Sequence, residues 1–218
     1  MALTFLVFLG STRDSTPPRP ARLGERVAKA CLARLQAKQV EAKLVDPLEL
    51  ALPTPFKPHF AYPQGKAPAP LEALAGEIAA ADGYLMVSPE YNHSMSPALA
   101  DLLNHFGSSL FAYKASAIAT YSAGQWGGTR AAVGMRTFLS ELGCLPVSAM
   151  IHVPKAQAVF DAAGGYADGV DGPGWDGYLD RTLDQLLWWS EAAARQRRAG
   201  TVDAPGAFTR DPSQRNAP

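Results

Sequence analysis

Cysteine is nearly missing from the chain: Cys31 and Cys144 are the only two in 218 residues. They lie far apart in sequence, so neither a disulfide framework nor a multi-cysteine metal site can be built from them, and a reducing cytoplasm is the expected location. Charge of one sign is missing too. Twenty Lys and Arg stand against twenty Asp and Glu, so no overall field draws the chain to nucleic acid or to an anionic membrane. No nucleic-acid partner and no membrane partner is expected, and recognition must be local. The histidines His59, His93, His105 and His152 fall on different expected elements without i, i+4 or carboxylate-linked spacing, which argues against a metal site. Long apolar runs are absent as well, none approaching the roughly 20 residues that cross a bilayer. The short run Ala2 to Leu9 has no basic flank and leads into Gly10-Ser11-Thr12-Arg13, so a strand is expected there rather than a signal sequence.

Several catalytic signatures are also lacking. No G-x-S-x-G elbow supports nucleophilic hydrolysis. Neither G-x-x-x-x-G-K-[ST] nor G-x-G-x-x-G occurs, so the two common nucleotide loops are excluded. After the first expected strand there is no C-x-x-x-x-x-R phosphatase loop and no acidic pair for a receiver domain's magnesium.

What is present is a composition for a core: 47% of residues are apolar and 18% charged, which suits a globular domain. Leu3 to Leu9 reads as a strand covered on both faces. Leu23, Val27, Cys31 and Leu35 recur every four residues and mark a helix. Val40 to Val45 reads as a strand, and Pro47 to Pro70, with seven prolines, as a long irregular connection. Leu71 to Ala81 is the next expected helix and Tyr84 to Val87 the next strand. Ser96 as cap and Pro97 at the first position open a helix to Phe106. Ala115 to Tyr121 is a strand, Gly127 to Leu142 a helix with Ala131, Met135, Phe138 and Leu142 on one stripe, and Pro146 to Val153 a fifth strand. A glycine-rich stretch, Gly164 to Gly177, precedes a last helix from Tyr178 to Arg197. Residues 1–198 are thus expected to form one domain, and 199–218 a disordered tail. Strands alternating with helices demand right-handed crossovers and a doubly wound parallel α/β sheet, with ligands outside the carboxyl ends of the strands.

Three loops at that edge carry unusual residues. The first, Gly10 to Ser15, offers hydroxyls, a guanidinium and a following helix N-terminus, a set suited to a phosphate. The second, Ser88 to Pro97, combines an exposed ring at Tyr91 with amides, hydroxyls and prolines, which suits either a planar ligand or an ordinary cap. The third, Tyr121 to Arg130, holds three glycines that permit close backbone approach or simple turns. His93 lies in the second loop, as a surface residue or a proton donor. Cys31 and Cys144 read as core. Trp188 and Trp189 fit either the core or a subunit contact.

The segments Gly10-Ser11-Thr12-Arg13, Pro89-Glu90-Tyr91-Asn92-His93-Ser94 and Ser122-Ala123-Gly124-Gln125-Trp126-Gly127-Gly128 resemble, in order and strand context, the flavodoxin-like NADPH-dependent FMN reductase family, which includes quinone, azo-dye and chromate reductases. The resemblance implies a five-stranded parallel sheet of order 2-1-3-4-5 with helices on both faces. It implies non-covalent FMN, with NADPH or NADH as co-substrate. The phosphate loop corresponds to Ser11, Thr12 and Arg13, with Ser15 or Arg22 as a further contact. The ring-holding loop corresponds to Pro89, Glu90, Tyr91 and Asn92, and the second ring loop to Ser122, Gly124 and Gly127. The activity implied is hydride transfer from NAD(P)H through flavin to a small acceptor such as a quinone, azo compound, metal oxyanion or free flavin. Donor and acceptor use one open face in turn, which means ping-pong kinetics with no obligatory catalytic side chain. The alternative is a flavodoxin-like electron carrier without nicotinamide turnover, against which the balanced charge speaks. The family habit implies a homodimer or homotetramer, for which Leu102, Leu103 and Phe106 are candidate contacts. The stretch Thr16 to Pro20 departs from the family pattern as an insertion.

Overall fold

A computed structural model describes residues 2–16 and 19–200. The strands are β1 (Thr4–Leu9), β2 (Glu41–Val45), β3 (Gly83–Tyr91), β4 (Ser94–Met95), β5 (Ala115–Tyr121), β6 (Leu145–Pro146) and β7 (Ile151–Val153). The helices are α1 (Leu23–Ala37), α2 (Ala69–Ala80), α3 (Pro97–Asn104), α4 (Ser108–Phe111), α5 (Thr129–Glu141), α6 (Ala156–Val159) and α7 (Gly172–Ala199). The main sheet is parallel in the order β2-β1-β3-β5-β6, with β7 pairing β5 beyond β6 and β4 folded back antiparallel on β3. Counting β6 and β7 as one interrupted strand and β4 as a hairpin arm, this is the 2-1-3-4-5 order expected.

Burial alternates faces as the β1 sequence requires. Phe5, Val7 and Leu9 join Val27, Cys31 and Leu35 of α1 and Leu179, Leu183 and Leu186 of α7 on one face. Leu6 and Phe8 join Leu71, Leu74 and Ile78 of α2, the inner residues of α3, and Met135 and Leu139 of α5 on the other. Two apolar faces need two helix layers, and a continuously apolar strand is the result. Both cysteines are buried. Leu102, Leu103 and Phe106 are buried as well, so they face the sheet and the expected subunit contact through them is corrected.

The elements differ from expectation where polar or glycine residues obscured regular structure. Strand β3 runs on through Ser88 to Tyr91 because β5 is long enough to pair it, Ser88 opposite Thr120 and Pro89 opposite Tyr121. The fifth strand is broken: β7 pairs β5 two residues out of register with β6, and Pro146, lacking an N–H, cannot continue the ladder. Helix α7 begins at Gly172, not Tyr178. Asp171 caps it by accepting from the Gly174 amide at 3.0 Å, and Pro173 fits the first turn, so cap chemistry outweighs the glycine content. It ends at Ala199, with Gly200 left-handed behind it; residues 201–218, which make up most of the expected tail, lie outside those described. No described helix is long and apolar enough to cross a membrane.

Two stability results follow from this packing. Gly76 lies inside α2 with no atom within 4 Å of a built Cβ, so Gly76→Ala is expected to raise stability by about 0.5–1 kcal/mol through helix propensity, read by denaturant titration. Helices α1 and α7 are laced by Arg34 and Lys38 against Asp176, Asp180 and Asp184. Desolvation works against the charged form of Asp180, but Arg34 and Lys38 prevail and hold its carboxyl below the usual range. A group depressed in the fold contributes stability above its unfolded value and loses it as pH falls through the folded one. Asp180→Asn should therefore lower the melting temperature at pH 7 and matter progressively less as the pH falls below about 4.

Candidate functional site

Strands β1, β3 and β5 are neighbours, so the chain leaves them side by side at one edge of the sheet. Gly10 closes β1 against its neighbours. Its amide donates to the Val87 carbonyl at 2.7 Å, and its carbonyl accepts from Ser96 Oγ at 2.7 Å. Ser96 caps α3 by accepting from the Leu99 amide at 3.1 Å, while its own amide donates to Ser88 Oγ at 3.0 Å. The first and second loops are thus joined by one chain of hydrogen bonds. Ser11 is buried; Thr12 and Arg13 are exposed and Ser15 is half-buried. The side chains of Thr12, Arg13 and Ser15 have no partner among the described residues, and α1 behind them has no side-chain cap. Unspent hydroxyls, a free guanidinium and an uncapped helix N-terminus make a donor set for an anion with several acceptor oxygens.

The second loop is a tight hairpin. Tyr91 pairs Ser94, and the two residues between them, Asn92 and His93, have φ of 49° and 63°, as a primed two-residue turn requires. The turn holds Tyr91 out, 45% exposed. Pro89 and Glu90 are half-buried, and Glu90 points toward the third loop. Its carboxylate accepts from the Arg130 amide at 3.2 Å and from the Arg130 guanidinium at 3.4 Å, supplying the N-terminus of α5 with the acceptor that Gly128 cannot. His93 is exposed at the tip, its Nε2 3.9 Å from Glu90 Oε1.

In the third loop Ser122 and Gly127 are spent internally. Ser122 Oγ donates to the Gly124 carbonyl at 2.8 Å and accepts from the Gly127 amide at 3.0 Å, while the Gly127 carbonyl accepts from Thr120 Oγ1 at 2.8 Å. Gly127 has φ of 60°, and a Cβ there would meet the Pro154 nitrogen at 3.1 Å, so it turns the loop inward. Gly124, by contrast, is exposed with nothing within 4 Å of a built Cβ. Trp126 is 59% exposed beside it, with the Arg130 guanidinium 5.3 Å from its ring centroid.

Two residues hold the loops together in roles that the sequence did not assign them. Tyr121, at the end of β5, is buried beside Ser11 and lies in the electrostatic reach of Tyr91, Arg22 and Arg13; burial pushes its hydroxyl pKa up. Its hydroxyl would be 2.3 Å from a Cβ on Gly24, which is why α1 can approach β5 only through glycine. Arg22, offered by the sequence as a phosphate contact, is instead 7% exposed and bonded to Ser11 and Asp46. Its place at the helix N-cap gave the signal, since arginine cannot cap. A groove of about 890 Å³ lies elsewhere, where Lys114, Leu145, Trp189 and Arg197 line it near the start of β5. It shares no residue with the three loops. No group of three or more metal-ligating side chains occurs among the described residues.

Known proteins share this architecture. An NAD(P)H-dependent FMN reductase of Pseudomonas aeruginosa is 34% identical over 111 residues, 49% of this chain; the chain spans 60% of that protein's length. FerB, a flavoenzyme NAD(P)H:(acceptor) oxidoreductase of Paracoccus denitrificans, superposes with a TM-score of 0.63 at 22% identity, covering 85% of this chain and 98% of that one. An oxidoreductase of Corynebacterium diphtheriae superposes at 0.58 with 16% identity, covering 88% and 98%. These two likenesses speak for the fold. The model of the NADPH-dependent FMN reductase family matches residues 3–158, which take in all three loops and the sheet that aligns them, and the chain belongs to that family.

Proposed function

We propose that the rim formed by the three loops holds FMN and that the protein is an NAD(P)H-dependent flavin oxidoreductase delivering electrons to a small acceptor. The observation that carries this is the mutual bonding of the loops, Ser96 to Gly10 and Glu90 to Arg130, around an uncapped helix N-terminus. Thr12, Arg13 and Ser15 would neutralise the phosphate, with Ser11 held beneath them. Tyr91 and Asn92 would pack the ring, Pro89 fixing their approach and Glu90 clamping their hairpin to α5. Gly124 would offer backbone at the ring's edge, with Ser122 and Gly127 shaping that turn. When bound, FMN supplies the two-electron redox chemistry that no side chain here can perform.

The exposed Tyr91 and Trp126 leave the rim open, so nicotinamide and acceptor would occupy one face in turn. Parallel lines in double-reciprocal plots are the expected kinetic sign. No acid or base is obligatory for hydride transfer, and His93 at the hairpin tip would do no more than deliver a proton to a reduced acceptor. Quinones, azo compounds, metal oxyanions and free flavin are the acceptor classes to compare. Assembly as a homodimer or homotetramer belongs to the same proposal. With the inner face of α3 buried, Trp188 and Trp189, 63% and 42% exposed, are the apolar surface to test by light scattering. Anaerobic mixing with NADPH or NADH tests the activity. Bleaching of the flavin absorbance within seconds is expected, and an unchanged spectrum with both would favour an electron carrier.

A further inference from the structure

We propose that Arg22 is a buried positioning cation beneath the phosphate loop, and that its pairing with Asp46 sets how tightly the loop takes a dianionic phosphate; this rests on the reading of the three-loop rim as an FMN site. Arg22 occupies the N-cap position of α1, where a short acceptor side chain is the rule. It caps nothing. Instead its guanidinium folds back, donating to the Ser11 carbonyl at 2.7 Å and to Asp46 Oδ1 at 3.1 Å, with a second bond to Asp46 Oδ2. Asp46 stands just past the end of β2 and also accepts from the Leu48 amide at 3.0 Å. One ion pair therefore ties the end of β2 to the loop that follows β1.

The bond to Ser11 has a directional consequence. Across a trans peptide the C=O and the N–H point opposite ways, so fixing the Ser11 carbonyl toward Arg22 turns the Thr12 amide away from it. That amide donates to nothing among the described residues, and it stands in the loop with the unspent Thr12, Arg13 and Ser15 side chains. Arg22 thereby presents a backbone donor without touching the ligand.

Charge adds a second effect. Arg22 is 7% exposed, so its field at the loop is weakly screened. The charged groups around it are Asp46, then Glu25, whose Oε2 is 3.5 Å from Arg22 Nε and which is itself paired with Lys29 at 2.6 Å. With Glu25 offset by Lys29, Asp46 is, among the described residues, the counter-charge that holds the guanidinium's attraction for phosphate in check. Removing the cation and removing its partner should then move phosphate affinity in opposite directions, although each breaks the same buried pair and each lowers stability.

Flavin titrations of the full chain, read by flavin fluorescence, test this with FMN and with riboflavin, which lacks the phosphate. Wild-type protein should prefer FMN strongly; equal binding of the two flavins, or binding of neither, would overturn the FMN-site reading before any variant is compared. Given that preference, Arg22→Met should weaken FMN about tenfold or more and leave riboflavin unchanged. Asp46→Asn should tighten FMN several-fold with riboflavin again unchanged. Arg22→Lys, which keeps the charge, should retain most of the preference and serves if the Met variant does not fold. Loss of FMN and riboflavin affinity together in Arg22→Met or Arg22→Lys, or unchanged or weaker FMN binding in Asp46→Asn, would reduce Arg22 to a support of the fold and overturn the inference.

Discussion

Replacing Arg13 by alanine is expected to weaken FMN binding by about 1.5–3 kcal/mol, or roughly 10- to 150-fold, the range for a hydrogen bond to a charged group. Arg13 is exposed and makes no hydrogen bond or ion pair among the described residues, so the fold spends little on it. The melting temperature of the flavin-free protein should therefore stay at the wild-type value. That separation distinguishes Arg13 from Arg22, whose loss costs stability as well. Equilibrium titration of FMN checks it, and an unchanged dissociation constant would remove Arg13 from the site.

Gly10→Ala should damage the rim through packing. A Cβ at residue 10 would lie 2.8 Å from Ser96 Oγ, 2.9 Å from Leu99 Cβ and 2.9 Å from the Val87 carbonyl. None of these is the free end of a flexible chain. Val87 is strand backbone, and Ser96 is held by its bonds to Gly10 and Leu99. To admit one methyl group, β1 must part from β3 and from the start of α3, where the first two loops join. Overpacking of this kind costs about 1–3 kcal/mol, and the displaced loop should lose most of its affinity for FMN. Chemical denaturation and flavin titration measure the two effects; wild-type values in both would mean that the loops do not depend on one another.

The sheet was legible because its strands are short apolar runs between turn residues. Phe5 to Leu9 is buried on both faces, as an unbroken apolar strand implies, and Ser96-Pro97 opens α3 as its cap chemistry requires. The start of α7 was not legible, since Gly172, Gly174 and Gly177 argue locally for a loop while the Asp171 cap and the packing of Trp175 and Tyr178 decide for helix. The site was legible as three loops, not as contacts. Sequence supplies Glu90 as a polar residue near a ligand, but only the fold brings its carboxylate to the Arg130 amide, 40 positions away. The place of Tyr121 and the pairing of Arg22 with Asp46 escaped for the same reason. Both act across strands, and no spacing along the chain encodes a partner on a different strand.

The account stands on where FMN lies. A crystal structure of the FMN-loaded protein is expected to place the phosphate at the N-terminus of α1 against Thr12, Arg13 and Ser15, and the ring between Tyr91 and the Gly124 turn. Flavin found instead in the groove beside Trp189 and Lys114, with the three loops untouched, would contradict it.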